Sequence, residues 1–365
     1  MMSRRRFGAL SLAGAAPEIA FAQHAAVQGA VPADTVWLNA NENPEGPPPE
    51  AKDAISRAIS EAGRYNHRAF PALNEALAHL AGVETDQVMP GAGSTEVLHC
   101  ALDAFTSASK PLITPWPTWE MARDVVEAAG RHVVKVRLTK QWSADVERMV
   151  HEAREAGGGV IHLGNPNNPT SSVTPKSELR WLAEHLPPST VLLVDEAYIQ
   201  FANPIEVESA ATYVREGRSV IATRTFSKLY GMAGVRVGFG CGRSDLLKQM
   251  QPFRNNVISI LGARAAMAAV QLGDEFVRTR RAARNRPRAE LCDWLDRKGL
   301  RYIPPQANFV LIDIRRNVQD IIPKMLVEGV AVGRRFDSLD TWMRVAIGTE
   351  MEMAKFRAVF QKVVG

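Results

Sequence analysis

Cysteine is scarce in this 365-residue chain, and Cys100, Cys241 and Cys292 stand far apart. An odd count without ligand spacing argues against a disulfide framework or a metal cluster, so all three read as small buried hydrophobes. No apolar run approaches the roughly 20 residues that a bilayer crossing needs. There is no internal repeat, and no basic stripe interleaved with aromatics, so no nucleic-acid partner is expected. The formal net charge is +5, of which Arg4, Arg5 and Arg6 against Glu18 supply two. With 46% hydrophobic and 23% charged residues, the composition is that of a globular chain long enough for one large core and a smaller satellite.

The first residues look like an address. Arg4 to Arg6 form a positive head, Gly8 to Ala16 a modest apolar centre, and Ala20-Phe21-Ala22 a small-x-small cleavage site before Gln23. Arg4 and Arg5 followed by Phe7 resemble the twin-arginine signal, which exports proteins already folded. Residues 1–22 are therefore expected to be a leader and the mature protein periplasmic. The alternative is a basic tail on a cytoplasmic protein.

From Val31 to Pro49 the chain is irregular and rich in Pro, Asn and Glu, and a helical pattern follows from Glu50 to Ala62. Beyond it, apolar strand-like runs alternate with amphipathic helices, which predicts an α/β fold with a mainly parallel sheet. After Arg254 the chain turns helical and Arg-rich to about Lys298. Short strands then follow at Phe309 to Ile312 and Met343 to Ile347, around a helix from Val318 to Glu328. The expected division is an arm with part of the small domain at 23–60, a large domain at 61–253 and a small α+β domain at 254–365.

The strand-like runs end in chemistry. Leu112 to Thr114 lead into Pro115-Trp-Pro-Thr-Trp119, and Gly159 to Leu163 lead into Gly164-Asn-Pro-Asn-Asn-Pro169. Val191 to Val194 lead into Asp195, and Ser219 to Thr223 into Thr225-Phe-Ser-Lys228. The carboxyl ends of parallel strands share one edge, where ligands bind, so four distant loops are expected to converge there. Lys228 sits among hydroxyls and glycine, a setting for an amine that attacks an aldehyde. Asp195, at the end of a buried strand, needs a cation, and a protonated pyridine nitrogen is one. Tyr198 stands three residues on, within reach of such a ring's phenolic oxygen. Gly91-Ala-Gly-Ser94-Thr95 before a helix suits a phosphate, and Arg236 adds a charge-assisted bond to it. Trp119 offers a face for the ring and Asn168 a second donor to its oxygen. Each feature alone has a plainer reading: a helix cap, a packed aromatic, a turn or a surface arginine.

Together these motifs resemble the class I/II aminotransferases of fold type I, pyridoxal-phosphate enzymes. Asn-Pro-x-Asn168-Pro-Thr, Asp195-x-x-Tyr198, Ser227-Lys228 with Arg236 and the late Arg344-Val-x-Ile-Gly occur in that family's order and spacing. Trp37-Leu-Asn-Ala-Asn-Glu-Asn-Pro44 and Met343 to Thr349 resemble histidinol-phosphate aminotransferases in particular. The resemblance implies a large domain with a parallel sheet flanked by helices, plus a smaller α+β domain. It implies Lys228 as the Schiff-base lysine and proton shuttle, Asp195 on the ring nitrogen, Tyr198 and Asn168 on the phenolic oxygen, and Trp119 on the ring face. Ser94, Thr95, Thr225, Ser227 and Arg236 would hold the cofactor phosphate. Arg344 would fork the α-carboxylate and Asn43 would join the substrate site. Tyr65 would reach the phosphate of a neighbouring subunit, which makes the enzyme a homodimer. Amino transfer between an amino acid, or a histidinol-phosphate-like amine, and a 2-oxo acid is the expected reaction. Decarboxylation and racemisation are alternatives on the same residues, and a non-catalytic cofactor-binding module is the alternative from another class. Two departures from the family stand out. Ser171 replaces the usual Gly after Asn-Pro-Thr. Val332-Gly-Arg-Arg-Phe336 replaces a Val-Arg-Asp segment whose arginine contacts substrate phosphate, leaving Arg334 or Arg335 as the stand-in.

Overall fold

The computed structural model describes residues 31–254 and 258–365, so the expected leader at 1–22 lies outside the described residues. The arm holds strand β1 (Val36–Leu38) and is followed by helices α1 (Pro49–Ala58) and α2 (Phe70–Ala81). Next come β2 (Val88–Gly91), α3 (Ser94–Phe105), β3 (Leu112–Trp116), α4 (Met121–Ala128), β4 (Val133–Arg137) and α5 (Val146–Glu155). The chain continues through β5 (Gly159–Gly164), α6 (Lys176–Glu184), β6 (Thr190–Asp195), α7 (Ala211–Arg215), β7 (Val220–Thr225), β8 (Gly238–Gly242) and α8 (Ser244–Met250). It closes with α9 (Ile260–Val270), α10 (Gly273–Arg297), β9 (Arg301–Tyr302), β10 (Phe309–Asp313), α11 (Val318–Val327), β11 (Val330–Val332), β12 (Trp342–Ala346) and α12 (Glu350–Val363).

Seven strands form the main sheet in the order β2-β8-β7-β6-β5-β3-β4. β4, β3, β5, β6 and β7 run parallel, and β8 is antiparallel to both β7 and the edge strand β2. The expected α/β architecture with a mainly parallel sheet is therefore present. β6 is buried along its whole length, as a strand covered on both faces should be. Alternation decides which face each side chain feeds. Ile161, Leu163, Leu192 and Val194 join Leu73, Leu77, Met149 and Leu179 on one face. Val160, Val191 and Leu193 join Val97, Leu98, Val126 and Leu247 on the other.

The second core gathers Val310, Ile312, Met343 and Val345 of β10 and β12 with Leu291, Met325, Met353 and Phe356 of the surrounding helices. The arm joins it, because β1 pairs in parallel with β11, Val36 opposite Val330, and Leu38 packs inside. Ala51 of α1 and Ala263, Ala265 and Ala266 of α9 pack in the same core as the large sheet. An alanine-rich helix with apolar residues on most sides signals burial without telling which core buries it.

Candidate active site

The carboxyl ends of β3, β5, β6 and β7 bring the four expected loops to one edge. Helix α3 opens there behind Gly93, whose φ is 79°. A Cβ at Gly93 would clash with Nη2 of Arg236, and one at Gly238 would clash with the amide nitrogen of Ser94. Glycine at both positions lets β8 and a guanidinium press against the first turn of a helix whose leading N–H groups lack intrahelical partners. Arg236 donates to the carbonyls of Ala233 at 2.8 Å and Ala92 at 3.5 Å, and to Oγ of Ser227 at 3.3 Å. These are all neutral oxygens. Thr225 and Ser227 are buried and joined at 2.9 Å. Two hydroxyls, a helix start and a guanidinium bonded, among the described residues, only to neutral oxygens make a cradle for a dianion.

Asp195 ends β6, buried. Its Oδ1 accepts from the amide of Ala197 at 3.1 Å and from Oγ1 of Thr223 at 3.3 Å, while Oδ2 lies outside both bonds. Burial pushes its pKa up to about 6, against the pull of those hydrogen bonds and of Lys228. The site is thus short of positive charge at this carboxylate. Lys228 is half-buried, donates to the carbonyl of Ala40 at 3.3 Å and lies 5.6 Å from the ring centre of Tyr198. Tyr198 packs edge-on to Phe309, and its hydroxyl accepts from Nδ2 of Asn41 at 3.1 Å.

Arg344 enters from β12. It is 7% exposed, donates to Oδ1 of Asn168 at 2.8 Å and to the carbonyl of Asn39 at 2.7 Å, and finds no partner for Nε among the described residues. Desolvation lowers its pKa to about 10. A buried guanidinium bonded only to neutral oxygens is costly, and an anion relieves it. Asn168 gives its oxygen to Arg344, which leaves its NH2 outside that bond. The loop that carries Asn168 is held by a buried network. Oγ1 of Thr118 donates to Oδ1 of Asn167 at 2.6 Å, and Nδ2 of Asn167 donates to Oγ1 of Thr170 at 2.8 Å and to the carbonyl of Pro117 at 3.1 Å. Trp119, in the same β3 loop, is half-buried against the core of α3 and α4.

Asn43 and Tyr65 are the remaining expected residues. Asn43 spends its side chain on the backbone: Nδ2 donates to the carbonyl of Leu229 at 2.8 Å and Oδ1 accepts from the amide of Glu45 at 3.1 Å. These bonds clamp the arm to the Lys228 loop. Tyr65 is 69% exposed and stacks on His67, with no contact to the cradle of its own chain among the described residues. Conversely, sequence reasoning passed over Asn41, Thr223, Glu120 and Phe336. Asn41 lies inside the arm motif, but only a folded arm reveals that it faces Tyr198. Of the two stand-in arginines, Arg335 pairs with exposed Asp340, whereas Arg334 forks onto Glu120 beside Trp119. Ser171 takes φ 59°, in the left-handed region that favours glycine, and its hydroxyl accepts from the amide of Ala307 at 2.9 Å.

The model of the family described as aminotransferase class I and II matches residues 33–360. The histidinol-phosphate aminotransferase of Symbiobacterium thermophilum is 35% identical over 338 residues, 91% of this chain and 91% of that one. Among solved structures, an aspartate aminotransferase from Thermus thermophilus with maleate has a TM-score of 0.79 at 26% identity, covering 90% of this chain and 92% of that one. The histidinol-phosphate aminotransferase of Sinorhizobium meliloti in complex with pyridoxal-5'-phosphate shares the fold, with a TM-score of 0.84 at 24% identity and 90% coverage of each chain.

Proposed function

The chain belongs to the class I and II aminotransferases and is a pyridoxal-phosphate-dependent aminotransferase, and from its site we infer how its own residues divide that work. The residues fit the cofactor. The cradle of Ser94, Thr95, Thr225, Ser227 and Arg236 would hold the phosphate, and Asp195, a buried acid short of positive charge, would meet the ring nitrogen. Tyr198 and Asn168 would donate to the ring oxygen, and Trp119 would cover the ring face. When bound, pyridoxal phosphate supplies an aldehyde that takes up the amine and a protonated ring that absorbs the electron pair released at the substrate α-carbon. Lys228 Nζ would hold the cofactor between turnovers and, once released, would take the proton from the α-carbon. Asp195 would pair with the ring nitrogen. Arg344 holds the carboxylate next to the reacting carbon through both terminal nitrogens.

The observation that carries this reading is buried Arg344, bonded among the described residues only to neutral oxygens, on the edge where Lys228 and Asp195 also stand. The donor is an L-amino acid and the acceptor a 2-oxo acid. A second donor, histidinol phosphate, is favoured by the names of relatives such as the Symbiobacterium enzyme. Against it, Gly333 stands beside Val332 where the Val-Arg-Asp segment has its arginine, and a Cβ there would press on Arg344, 2.9 to 3.1 Å from its atoms. Mixing holoenzyme with candidate donors tests both: the cofactor absorbance should shift to the amine form with release of the oxo compound. Lys228→Ala should lower turnover at least about a thousandfold, and turnover near wild type would refute the assignment.

The whole protein is read in the same way. A homodimer with shared sites is supported by exposed Tyr65, and by exposed Ile59 and Phe253. Export to the periplasm is supported by the leader pattern at 1–22, and a mature protein beginning at Gln23 is its test.

A further inference from the structure

Next to Arg344 the structure holds a second guanidinium that the amino-transfer chemistry leaves unused. Arg334 lies in the loop after β11, and both its terminal nitrogens donate to the carboxylate of Glu120, Nη1 to Oε1 at 3.1 Å and Nη2 to Oε2. The side chains are 26% and 9% exposed, so most of the pair is out of bulk water. Glu120 directly follows Trp119 and precedes α4. The ring of Phe336 ties the pair to the site: the guanidinium carbon of Arg334 lies 4.3 Å from the ring centre and that of Arg344 lies 4.9 Å from it. Both members of the pair act on Arg344, Arg334 opposing its charge and Glu120 favouring it. Arg123 of α4 reaches Asp337 of the same loop at 3.5 Å, so the loop keeps its place when Glu120 lets go.

Resting on the reading of Arg344 as the group that holds the substrate carboxylate, we propose that Arg334 and Glu120 set specificity at the side-chain end of the substrate: Arg334 recognises a distal anion, carboxylate or phosphate, and Glu120 is the internal competitor that covers it when the distal group is uncharged. A free arginine here would leave an unpaired charge against every uncharged side chain. A paired one presents a neutral, aromatic-backed wall, and an acidic substrate must displace Glu120 to bind. The pair therefore widens the range of donors at the expense of affinity for acidic ones.

The test is the ratio of kcat/KM for acidic donors (aspartate, glutamate, O-phosphoserine) to that for uncharged ones (leucine, phenylalanine), measured on holoenzyme. Glu120→Gln should raise this ratio roughly tenfold through KM, and should tighten binding of the unreactive dicarboxylate maleate by a similar factor. A gain confined to dicarboxylates or to O-phosphoserine names the anion. Arg334→Gln should lower the ratio. A ratio that Glu120→Gln leaves unmoved overturns the proposal. Should that variant fail to fold, Arg334→Gln decides alone, since equal losses for both donor classes overturn it too. A wild-type enzyme that converts no donor of either class refutes the transaminase reading of the site instead.

Discussion

At Asp195 burial and charge oppose each other, and the conflict has a measurable sign. Between the ordinary carboxylate range and about 6, the folded protein without cofactor holds the proton that the unfolded chain has released. The stability of that form therefore falls as pH rises through this window. Urea midpoints of the cofactor-free protein at pH 4.5 and 7, compared with those of Asp195→Asn, should show a loss in the wild type that the variant lacks. Equal pH slopes would mean that another group dominates. At Arg344 the question is geometry rather than charge. Arg344→Lys keeps the cation but removes the fork, so kcat/KM for an L-amino acid should fall roughly 10- to 100-fold. A loss below threefold would show that the carboxylate is held elsewhere.

Among the elements, the turn after β5 bears the clearest trade. Ser171 sits at φ 59°, which costs a non-glycine residue about 1 kcal/mol. Glycine would relieve that strain, but it would also orphan the amide of Ala307, now 2.9 Å from the serine hydroxyl. An unsatisfied buried donor costs about 1–3 kcal/mol, which outweighs the relief of strain, so Ser171→Gly should destabilise the protein by about 1 kcal/mol in chemical denaturation. A stabilised variant would show that the hydroxyl contributes nothing. The same bond ties the β5 turn to the segment before β10, and thus the site loop of one core to the other core. The arm makes a comparable link. Arg280 and Arg284 of α10 both pair with Glu45, and that anchorage presents Asn41 to Tyr198 and the carbonyl of Asn39 to Arg344.

For the whole molecule the prediction concerns sharing. Tyr65 is far too exposed for a residue that serves a site within its own chain. Tyr65→Ala should weaken cofactor affinity about tenfold, and mixing that variant with Lys228→Ala should restore tight, active sites in mixed dimers. Sedimentation should give a dimer mass. A monomer, or no recovery on mixing, would refute the shared site.

The sequence by itself determined the four parallel strands that end at the site, their common edge and the residues that follow them. A buried parallel strand reads as an apolar run, and its chemistry follows at the carboxyl end, as at Asp195 and Lys228. It also marked Arg344 by motif alone. The sequence could not allot α1 and α9 to a core, because an alanine-rich helix carries no record of which surface it meets. Nor could it separate Asn41 from Asn43, two like residues in one arm, since only the folded arm decides which amide faces Tyr198 and which is spent on Leu229. The pairing of Arg334 with Glu120 is likewise tertiary: 214 residues separate them, and no local pattern encodes a contact made only when two cores close on one another.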